Sequence, residues 1–213
     1  MLVTAGPTRE HLDPVRYLTN ESSGLMGFEI AAAAARRGDE VVLLAGPVAL
    51  ATPPGVRRID VSSAREMLAA ASRAFRRADA LFMTAAVADW RPRRKRTGKW
   101  RKENENKAIA ILELVRNPDI LARLARSPGR RLVVGFALET GDGPVRARAK
   151  LRRKGADYIV LNDETALGAT RTSVTILGRD GSSLRLAGRT KREVAEALVR
   201  LPSPRVARRA GAS

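Results

Sequence analysis

Short apolar runs of strand length alternate with stretches of helical periodicity along most of the chain. The predicted strands cover residues 2–5, 41–45, 80–86, 108–115, 132–138 and 158–161. The predicted helices cover residues 24–37, 117–125 and 144–154, a stretch from Ser62 or Ser63 to Phe75, and a last helix capped by Thr190. Because the strands are continuously apolar, both faces of their sheet are expected to be buried. This order predicts an α/β fold, Rossmann-like, with a mostly parallel sheet and helices on both faces.

Three stretches depart from this alternation. Residues 91–107 are highly charged, which predicts a long exposed loop. Residues 173–177 and 183–186 flank a turn sequence at 179–181, which predicts a small β hairpin near the C-terminus. The small and basic residues of 202–213 predict a disordered tail, so the folded domain is expected to span residues 1–201.

The amino-acid composition excludes several kinds of chemical site. The 213 residues include no cysteine, so disulfides, thiolate nucleophiles and cysteine-based metal sites are excluded. The single histidine, His11, excludes a histidine-rich zinc site, and its polar loop favours a structural role over a catalytic one. No apolar run approaches the ~20 residues of a membrane span, and the first residues do not form a signal peptide. A cytoplasmic location is therefore predicted.

The formal net charge of +18 has two interpretations. A nucleic-acid-binding module would use Lys and Arg to neutralise phosphates, whereas an enzyme with anionic substrates would carry a generally basic surface. The basic residues are spread along most of the chain, and Phe and Tyr are too sparse for a base-stacking platform. These observations favour the enzyme and leave the nucleic-acid module as an alternative.

Residues 20–27 are the first candidate for chemistry, because small residues at the start of a helix expose backbone N–H groups to an anion. The alternative is an ordinary helix start with Ser22 or Ser23 as the N-cap. A nicotinamide dinucleotide site needs G-x-G-x-x-G directly after the first strand. Ser22 stands at the first of those positions and the loop from Gly6 is too long, so the standard site is excluded. A dinucleotide-dependent oxidoreductase is kept only as an alternative function.

Two further candidates lie at predicted strand ends. The loop 6–16 carries Arg9 and Arg16, whose guanidinium groups suit phosphate, although arginines are equally common on an ordinary surface. Asp89 follows the alanine-rich end of the strand 80–86, where it suits ribose hydroxyls or a metal ion; the alternative is a helix cap.

Clustered lysines provide the remaining candidates. Lys99 begins a cationic stretch, Lys99-Trp100-Arg101-Lys102, which suits a mobile lid or is a solvated run of charge. Lys150 and Lys154 share one helix face, where a bound polyphosphate would offset their repulsion; scattered surface charge is the alternative.

The order and spacing of these segments resemble phosphopantothenate–cysteine ligase, also called phosphopantothenoylcysteine synthetase, the second half of the bacterial bifunctional coenzyme A biosynthesis protein. The matching segments are TAGPTRE at 4–10, DPVRYLTNESSGLMG at 13–27, PPGV at 53–56, AAVAD at 85–89, NPDI at 117–120, GFA at 135–137 and Asn162-Asp163. They cover roughly residues 2 to 200, and the first block is long and specific.

The resemblance implies a reaction in two halves. The carboxylate of 4′-phosphopantothenate attacks the α-phosphate of CTP, with Mg²⁺ present, and pyrophosphate leaves. The amine of L-cysteine then attacks the acyl-cytidylate, which gives 4′-phospho-N-pantothenoylcysteine and CMP. Eukaryotic relatives favour ATP, so the choice of nucleotide stays open.

The resemblance also implies roles for named residues. Asn20 corresponds to the position that binds the acyl intermediate, Lys99 to a lysine needed to form it, and Arg16 and Ala86 to positions tied to the second half-reaction. Asp89 is in addition the candidate for metal binding. The residues expected to contact the nucleotide or its phosphates come partly from the resemblance and partly from the helix start and the alanine-rich strand end described above. They are Ser22, Ser23, Gly24, Met26, Gly27, Ala85, Asp89, Lys99, Pro118, Asp119, Ile120, Leu121, Phe136, Lys150 and Lys154.

Some features differ from the family pattern. The lid usually reads Lys-x-Lys-Lys, whereas Arg101 stands at its third position here. Residues 168–173 lack the family's Asp- and Asn-rich run, in the neighbourhood through which relatives form homodimers. A homodimer is still expected, together with a flavin-dependent phosphopantothenoylcysteine decarboxylase as a partner or fused domain. The abrupt start at a strand favours an excised domain over a stand-alone ligase.

Overall fold

The computed structural model describes residues 1–101, 110–129, 131–138, 143–162 and 171–202. Its strands are β1 (Leu2–Ala5), β2 (Arg9–His11), β3 (Tyr17–Thr19), β4 (Val41–Ala45), β5 (Val56–Asp60), β6 (Ala80–Met83), β7 (Trp90–Pro92), β8 (Leu114–Arg116), β9 (Leu132–Leu138), β10 (Tyr158–Asn162), β11 (Arg171–Gly178) and β12 (Ser183–Thr190). Its helices are α1 (Leu25–Arg36), α2 (Ala64–Phe75), α3 (Ile120–Ala125), α4 (Gly143–Lys154) and α5 (Lys191–Leu198). Within these ranges, no helix has the length and apolar character needed to cross a membrane.

Eight strands form one sheet in the order β12-β11-β10-β9-β6-β1-β4-β5. All neighbours from β10 to β5 are parallel, and β11 and β12 add an antiparallel edge. The chain builds outward from β1 through β4 and β5, and then from β6 through β9 and β10 on the other side. The strand order therefore reverses between β1 and β6, and this switch point is where sheets of this type bind ligands. The predicted Rossmann-like fold and the predicted hairpin, β11–β12, are both confirmed.

Helices cover both faces of the sheet because its parallel strands are buried on both sides. All four residues of β1 are buried. Helices α1 and α5 pack on one face, where Phe28 and Leu198 join one apolar cluster. Helices α2, α3 and α4 pack on the other face, where Phe75, Leu121 and Leu151 join a second cluster. Both layers are filled mainly by Ala, Val, Leu and Ile, as the low aromatic content predicts.

The helix starts follow local capping chemistry. Ser63 caps α2, since its hydroxyl accepts a hydrogen bond from the N–H of Glu66 at 3.3 Å, and Thr190 opens α5 with a complete capping box. The predicted start of α3 at Asn117 is wrong. Asp119 is the N-cap and accepts from the N–H of Ala122 at 3.0 Å, so the helix begins three residues later.

The strand predicted over residues 108–115 is not found as predicted in the described part of this region. The described residues 110–113 have no regular structure, and β8 is a short strand that pairs with β7 in a separate ribbon. The apolar run misled the prediction because it does not enter the core: Ile111 is 86% exposed. Part of the predicted loop is the strand β7, and residues 102–109 lie outside the described part of the chain, as does the predicted tail from 203 onward.

Three other strands were not predicted. The strands β2 and β3 form a small antiparallel hairpin inside the loop that follows β1. The strand β5 forms an edge of the main sheet and carries Arg57, Arg58 and Asp60. Because these charged residues interrupt the apolar pattern, the sequence did not predict a strand here.

Candidate functional site

The loops that follow β1 and β6 are joined at the switch point. The backbone N–H of Ala86 donates to the carbonyl oxygen of Gly6 at 2.9 Å, and the N–H of Thr8 donates to the carbonyl oxygen of Ala86 at 3.2 Å. A parallel bridge between Pro7 and Ala86 results. The hydroxyl of Thr8 also accepts from the N–H of Ala88 at 3.0 Å. These bonds make one continuous floor from two loops that are distant in sequence.

Asn20 reaches this floor from the loop before α1. Its side-chain Nδ2 donates to the carbonyl oxygen of Ala86 at 3.2 Å, and the residue is exposed to solvent. The two predicted catalytic residues Asn20 and Ala86 are therefore in contact, although 66 positions separate them. An amide at this point can orient a carbonyl or phosphate oxygen of a bound molecule.

Helix α1 begins without a side-chain cap. Its N-cap residue is Gly24, whose φ of 76° lies in the left-handed region that favours glycine. The Ser22 and Ser23 hydroxyls accept weakly from the N–H groups of Gly24 and Leu25, at 3.3 and 3.4 Å. The alternative of Ser22 or Ser23 as the N-cap is thus wrong. The N–H groups of Leu25, Gly27 and Phe28 already have acceptors. Within the described part of the chain, the N–H of Met26 is the one in the first turn of α1 that is left for an anion.

Gly27 lets α1 approach the sheet closely. A Cβ atom at this residue would lie 2.5 Å from both the Ala5 Cβ and the Thr84 Oγ1. Such distances are far inside van der Waals contact, so a larger side chain would push α1 away from β1. Packing therefore explains this glycine, in addition to its position beside a cavity.

A cavity of about 540 Å³ opens over the start of α1, and we call it the α1 cavity. It contains the predicted residues Ser22, Ser23, Gly24, Met26, Gly27 and Ala85. Its far wall is formed by residues 136–138 together with Asn162, Thr172 and Lys191. Thr172 and Lys191 belong to β11 and α5, and no sequence motif pointed to them as site residues.

A second cavity of about 450 Å³ lies beside α3 and α4, and we call it the α3 cavity. It brings together the predicted residues Asp89, Pro118, Asp119, Ile120, Leu121, Phe136, Lys150 and Lys154. Ala85 and Phe136 line both cavities, so the two spaces meet above the ends of β6 and β9. Asn117, which was not predicted as a site residue, braces this wall by donating from Nδ2 to the carbonyl oxygen of Ala88 at 2.8 Å.

The two lysines of α4 are held in the wall of the α3 cavity. Lys150 Nζ donates to the carbonyl oxygen of Phe136 at 3.0 Å, and Lys154 forms an ion pair with Asp119. Burial raises the pKa of Asp119, but hydrogen bonds from Lys154 and from the N–H of Ala122 outweigh it, and the pKa lies below its ordinary value. Both ammonium groups therefore stay close to the cavity.

Arg16 and Lys99 line neither cavity, and both are exposed. They flank Asp13, which is fully buried in the turn between β2 and β3. Asp13 Oδ1 accepts from the N–H groups of Val15 and Arg16, each at 2.7 Å. Its Oδ2 accepts from the N–H of Trp100 at 3.0 Å, which attaches the Lys99 segment to the hairpin. The bond from Trp100 is the largest influence on the carboxyl group, whose pKa is lowered to about 2.

Asp89, the predicted metal ligand, is exposed at the rim of the α3 cavity. Across the described ranges, no three His, Asp or Glu side chains cluster in the manner of a resident metal site. Magnesium is commonly held by one or two carboxylates together with substrate phosphates. Asp89 therefore fits an ion that arrives with a polyphosphate.

Known proteins match this chain over most of its length. The model of the DNA/pantothenate metabolism flavoprotein C-terminal domain matches residues 1–203. The Coenzyme A biosynthesis bifunctional protein CoaBC of Vibrio cholerae is 46% identical over 186 residues, which are 85% of this chain and 46% of that protein. The protein of the same name from Escherichia coli is 48% identical over 164 residues, 76% of this chain and 40% of that one.

Solved structures share the architecture. The crystal structure of the C-terminal domain of a Coenzyme A biosynthesis bifunctional protein CoaBC has a TM-score of 0.80 and 40% identity, covering 93% of this chain and 90% of that one. A Cab2 mutant in complex with phosphopantothenate-cysteine has a TM-score of 0.73 and 18% identity, covering 98% and 85%, and shares the fold. The chain spans about half the length of the curated relatives it matches. On the family match and these identities, it belongs to the DNA/pantothenate metabolism flavoprotein C-terminal domain family.

Proposed function

We propose that this chain is a phosphopantothenate–cysteine ligase of coenzyme A biosynthesis, which joins 4′-phosphopantothenate to L-cysteine through an acyl-cytidylate. One observation supports the proposal most: two cavities meet at Ala85 and Phe136 above the switch point. A carboxylate and an α-phosphate that react with each other must be held in contact, which a junction of two substrate sites provides. The names of the similar bifunctional proteins, which refer to coenzyme A biosynthesis, agree with this choice.

The α3 cavity is the proposed nucleotide site. Lys150 and Lys154 provide positive charge for phosphates, and Asp89 suits ribose hydroxyls or a magnesium ion carried by the nucleotide. The stretch 118–121 lines the same cavity and is proposed to contact the base, and CTP is the nucleotide expected from the resemblance. Magnesium, when bound to the triphosphate, would neutralise charge on the departing pyrophosphate.

In the first half-reaction, a carboxylate oxygen of phosphopantothenate attacks the α-phosphorus of CTP. The bond from that phosphorus to the bridging oxygen breaks, and pyrophosphate leaves with the electron pair. The Met26 N–H at the start of α1 is proposed to face the developing negative charge, and Lys99 is proposed to neutralise that charge when the segment around Trp100 closes.

In the second half-reaction, the nitrogen of the cysteine amine attacks the acyl carbon. The bond between that carbon and the phosphate oxygen breaks, CMP leaves, and the nitrogen loses a proton. Asn20 is proposed to hold the carbonyl of the intermediate from its position on Ala86, and Arg16 and Ala86 are proposed to serve this step. Closure of the loop would also protect the intermediate from water.

A coupled assay of pyrophosphate release tests the proposal. Release should require phosphopantothenate together with CTP and magnesium, and product should form only when L-cysteine is added. Parallel reactions with ATP and UTP test the expected preference for CTP. Folded protein with neither activity would contradict the ligase function, and tight, salt-dependent binding of duplex nucleic acid in that protein would favour the alternative.

The partners expected from the resemblance belong to the same proposal. A homodimer and a cytoplasmic location are expected, and size-exclusion chromatography with light scattering tests the first. The similar proteins are called bifunctional, which supports a flavin-dependent phosphopantothenoylcysteine decarboxylase as the partner or fused domain.

A further inference from the structure

A third cavity lies beside the α3 cavity and is lined by arginines. Its volume is about 540 Å³, and its walls come from α2, from the ribbon of β7 and β8, and from α3. It contains Arg65, Arg91, Arg116 and Arg123, and no carboxylate stands among the described residues of its lining. We call it the arginine cavity.

The charges of these arginines are not neutralised by neighbouring side chains. Arg65 and Arg123 are exposed, and their side chains form no hydrogen bond or ion pair within the described ranges. The Arg116 guanidinium lies 5.4 Å from the centre of the Trp90 ring, which has no formal charge. Like charges around one small cavity repel each other, and a bound anion would remove that repulsion.

Arg91 is already oriented by the protein. It is half-buried, and its Nη1 donates to the carbonyl oxygen of Arg116 and to the Oδ1 atom of Asn117, the latter at 3.2 Å. Both acceptors are neutral, so the positive charge persists. As far as the structure describes the chain, its Nε and Nη2 groups have no partner. Together they form the edge through which arginine binds phosphate with two parallel hydrogen bonds.

Arginine content alone does not define such a site in a chain with a net charge of +18. A cavity of about 1330 Å³ at the amino ends of the strands also contains arginines, among them Arg37. Its lining includes Asp39, Glu40 and Asp79, and Arg37 forms an ion pair with Asp39 at 2.7 Å. The arginine cavity differs because its positive charge is unbalanced, and this imbalance in a concave space indicates an anionic ligand.

The number of charges suggests the chemical class of that ligand. A phosphate monoester carries about two negative charges near neutral pH, so two phosphate groups are needed to balance four guanidinium groups. Ser72, which is half-buried in the same lining, adds a hydroxyl donor for a phosphate oxygen. We propose that the arginine cavity binds the diphosphate group of a small anion, either free pyrophosphate or a diphosphate ester, at a site separate from the nucleotide site.

The proposed site shares a wall with the α3 cavity, since Arg116, Asn117 and Pro118 line both. A diphosphate in the arginine cavity would neutralise Arg116, whose charge also attracts phosphates in the α3 cavity. Occupancy should therefore weaken the binding of CTP. This consequence rests on the proposed nucleotide site, whereas the binding of the diphosphate does not.

Calorimetric titration with pyrophosphate tests the binding. The full chain is first saturated with CTP, which keeps pyrophosphate out of the nucleotide site, and magnesium is omitted because it would sequester the diphosphate. Arg65→Gln and Arg123→Gln should each raise the Kd about tenfold, the value of one hydrogen bond between charged groups, without a change in melting temperature. Arg126→Gln, an exposed arginine that follows α3 and lies outside the lining, is the matched control and should keep the wild-type Kd.

Parallel titrations identify the source of the diphosphate group. Methyl diphosphate that binds as tightly as pyrophosphate would support a diphosphate ester, and binding about tenfold weaker would support free pyrophosphate. Displacement of pyrophosphate by a lower concentration of single-stranded RNA would instead indicate a nucleic acid and overturn the small-anion assignment.

A kinetic comparison tests the effect on the nucleotide. With pyrophosphate added and CMP formation followed, the apparent KM for CTP should be about threefold higher in wild type than in a double variant with Arg65→Gln and Arg123→Gln. Product inhibition at the nucleotide site is common to both proteins, so the difference reports the arginine cavity.

The outcomes separate the proposals. Equal Kd values in wild type and both glutamine variants, or no binding to the CTP-saturated chain, overturn the diphosphate site. Equal KM values in an active wild type and the double variant overturn only the effect on CTP. Wild-type protein that forms neither pyrophosphate nor product overturns the ligase function and leaves the calorimetric result unaffected.

Discussion

The backbone N–H of Trp100 donates to the Oδ2 atom of Asp13 at 3.0 Å. This bond joins a loop and a hairpin that are 87 positions apart in the sequence. Lys99 precedes Trp100, and Arg16 lies in the turn that Asp13 organises. A second bond, from the N–H of Arg96 to the carbonyl oxygen of Leu12 at 2.8 Å, reinforces the contact. Arg16 and Lys99, which like Asn20 line neither cavity, are thus attached to one buried carboxylate.

Replacing Asp13 with Asn should release the loop and leave the hairpin turn folded. The retained Oδ1 still accepts from Val15 and Arg16, but the new Nδ2 faces the N–H of Trp100, so two donors oppose each other. Trypsin should cleave within residues 93–101 roughly tenfold faster than in wild type. Asp60→Asn, which removes the surface ion pair with Arg58, is the control. Equal cleavage rates in all three proteins would contradict the anchoring role.

The same contact should depend on acid pH. Hydrogen bonds from Trp100 and the hairpin lower the pKa of Asp13 to about 2 from an ordinary 3.8. The folded pKa lies below the unfolded one, so the contact stabilises the docked loop fully above about pH 4 and is lost as pH falls through about 2. Tryptophan fluorescence in a Trp90→Phe background should report this transition, with far-UV circular dichroism as a check on global unfolding. An identical transition in Asp13→Asn would show that another group is responsible.

The sequence was sufficient for the fold where apolar pattern and burial agree. Strands such as β1 and β9 are continuously apolar because helices cover both faces, and the pattern records that fact directly. The prediction from the sequence failed where the apolar pattern and the burial disagree. Ile111 is apolar but exposed, and the edge strand β5 is part of the sheet although it carries charged residues.

Much of the site follows from long-range pairing that no local pattern contains. Asn20 contacts Ala86 only because β6 lies beside β1 in the sheet. Thr172 lies in a sequence typical of an ordinary strand. Only the structure shows that it lines the α1 cavity and that its buried Oγ1 atom has no hydrogen-bond partner. The roles assigned to Asn20, Lys99, Arg16 and Ala86 remain predictions.

Gly27→Ala should destabilise the fold through packing. The new Cβ would lie 2.5 Å from Ala5 Cβ and Thr84 Oγ1, and overpacking of this kind costs about 1–3 kcal/mol. Urea unfolding should therefore show a lower midpoint with an unchanged slope. Gly98→Ala is the control, because nothing lies within 4 Å of its added Cβ, and its stability should change by less than about 0.5 kcal/mol. A destabilisation of the same size in both variants would argue against the close approach of α1.

Lys99→Gln and Asn20→Asp should separate the two half-reactions. Lys99→Gln removes the proposed charge neutralisation, so pyrophosphate release should fall by about 100-fold or more, the scale of losing one electrostatic contact in a transition state.

Asn20→Asp keeps the shape of the side chain but loses the donor to Ala86 and introduces a carboxylate beside a phosphate. It should therefore form the acyl-cytidylate but pass it poorly to cysteine. Rapid quench with labelled CTP measures both species, and Lys95→Gln, a neighbouring loop lysine, serves as the control. Wild-type rates of pyrophosphate release in Lys99→Gln, or a normal yield of product per acyl-cytidylate in Asn20→Asp, would remove the corresponding role.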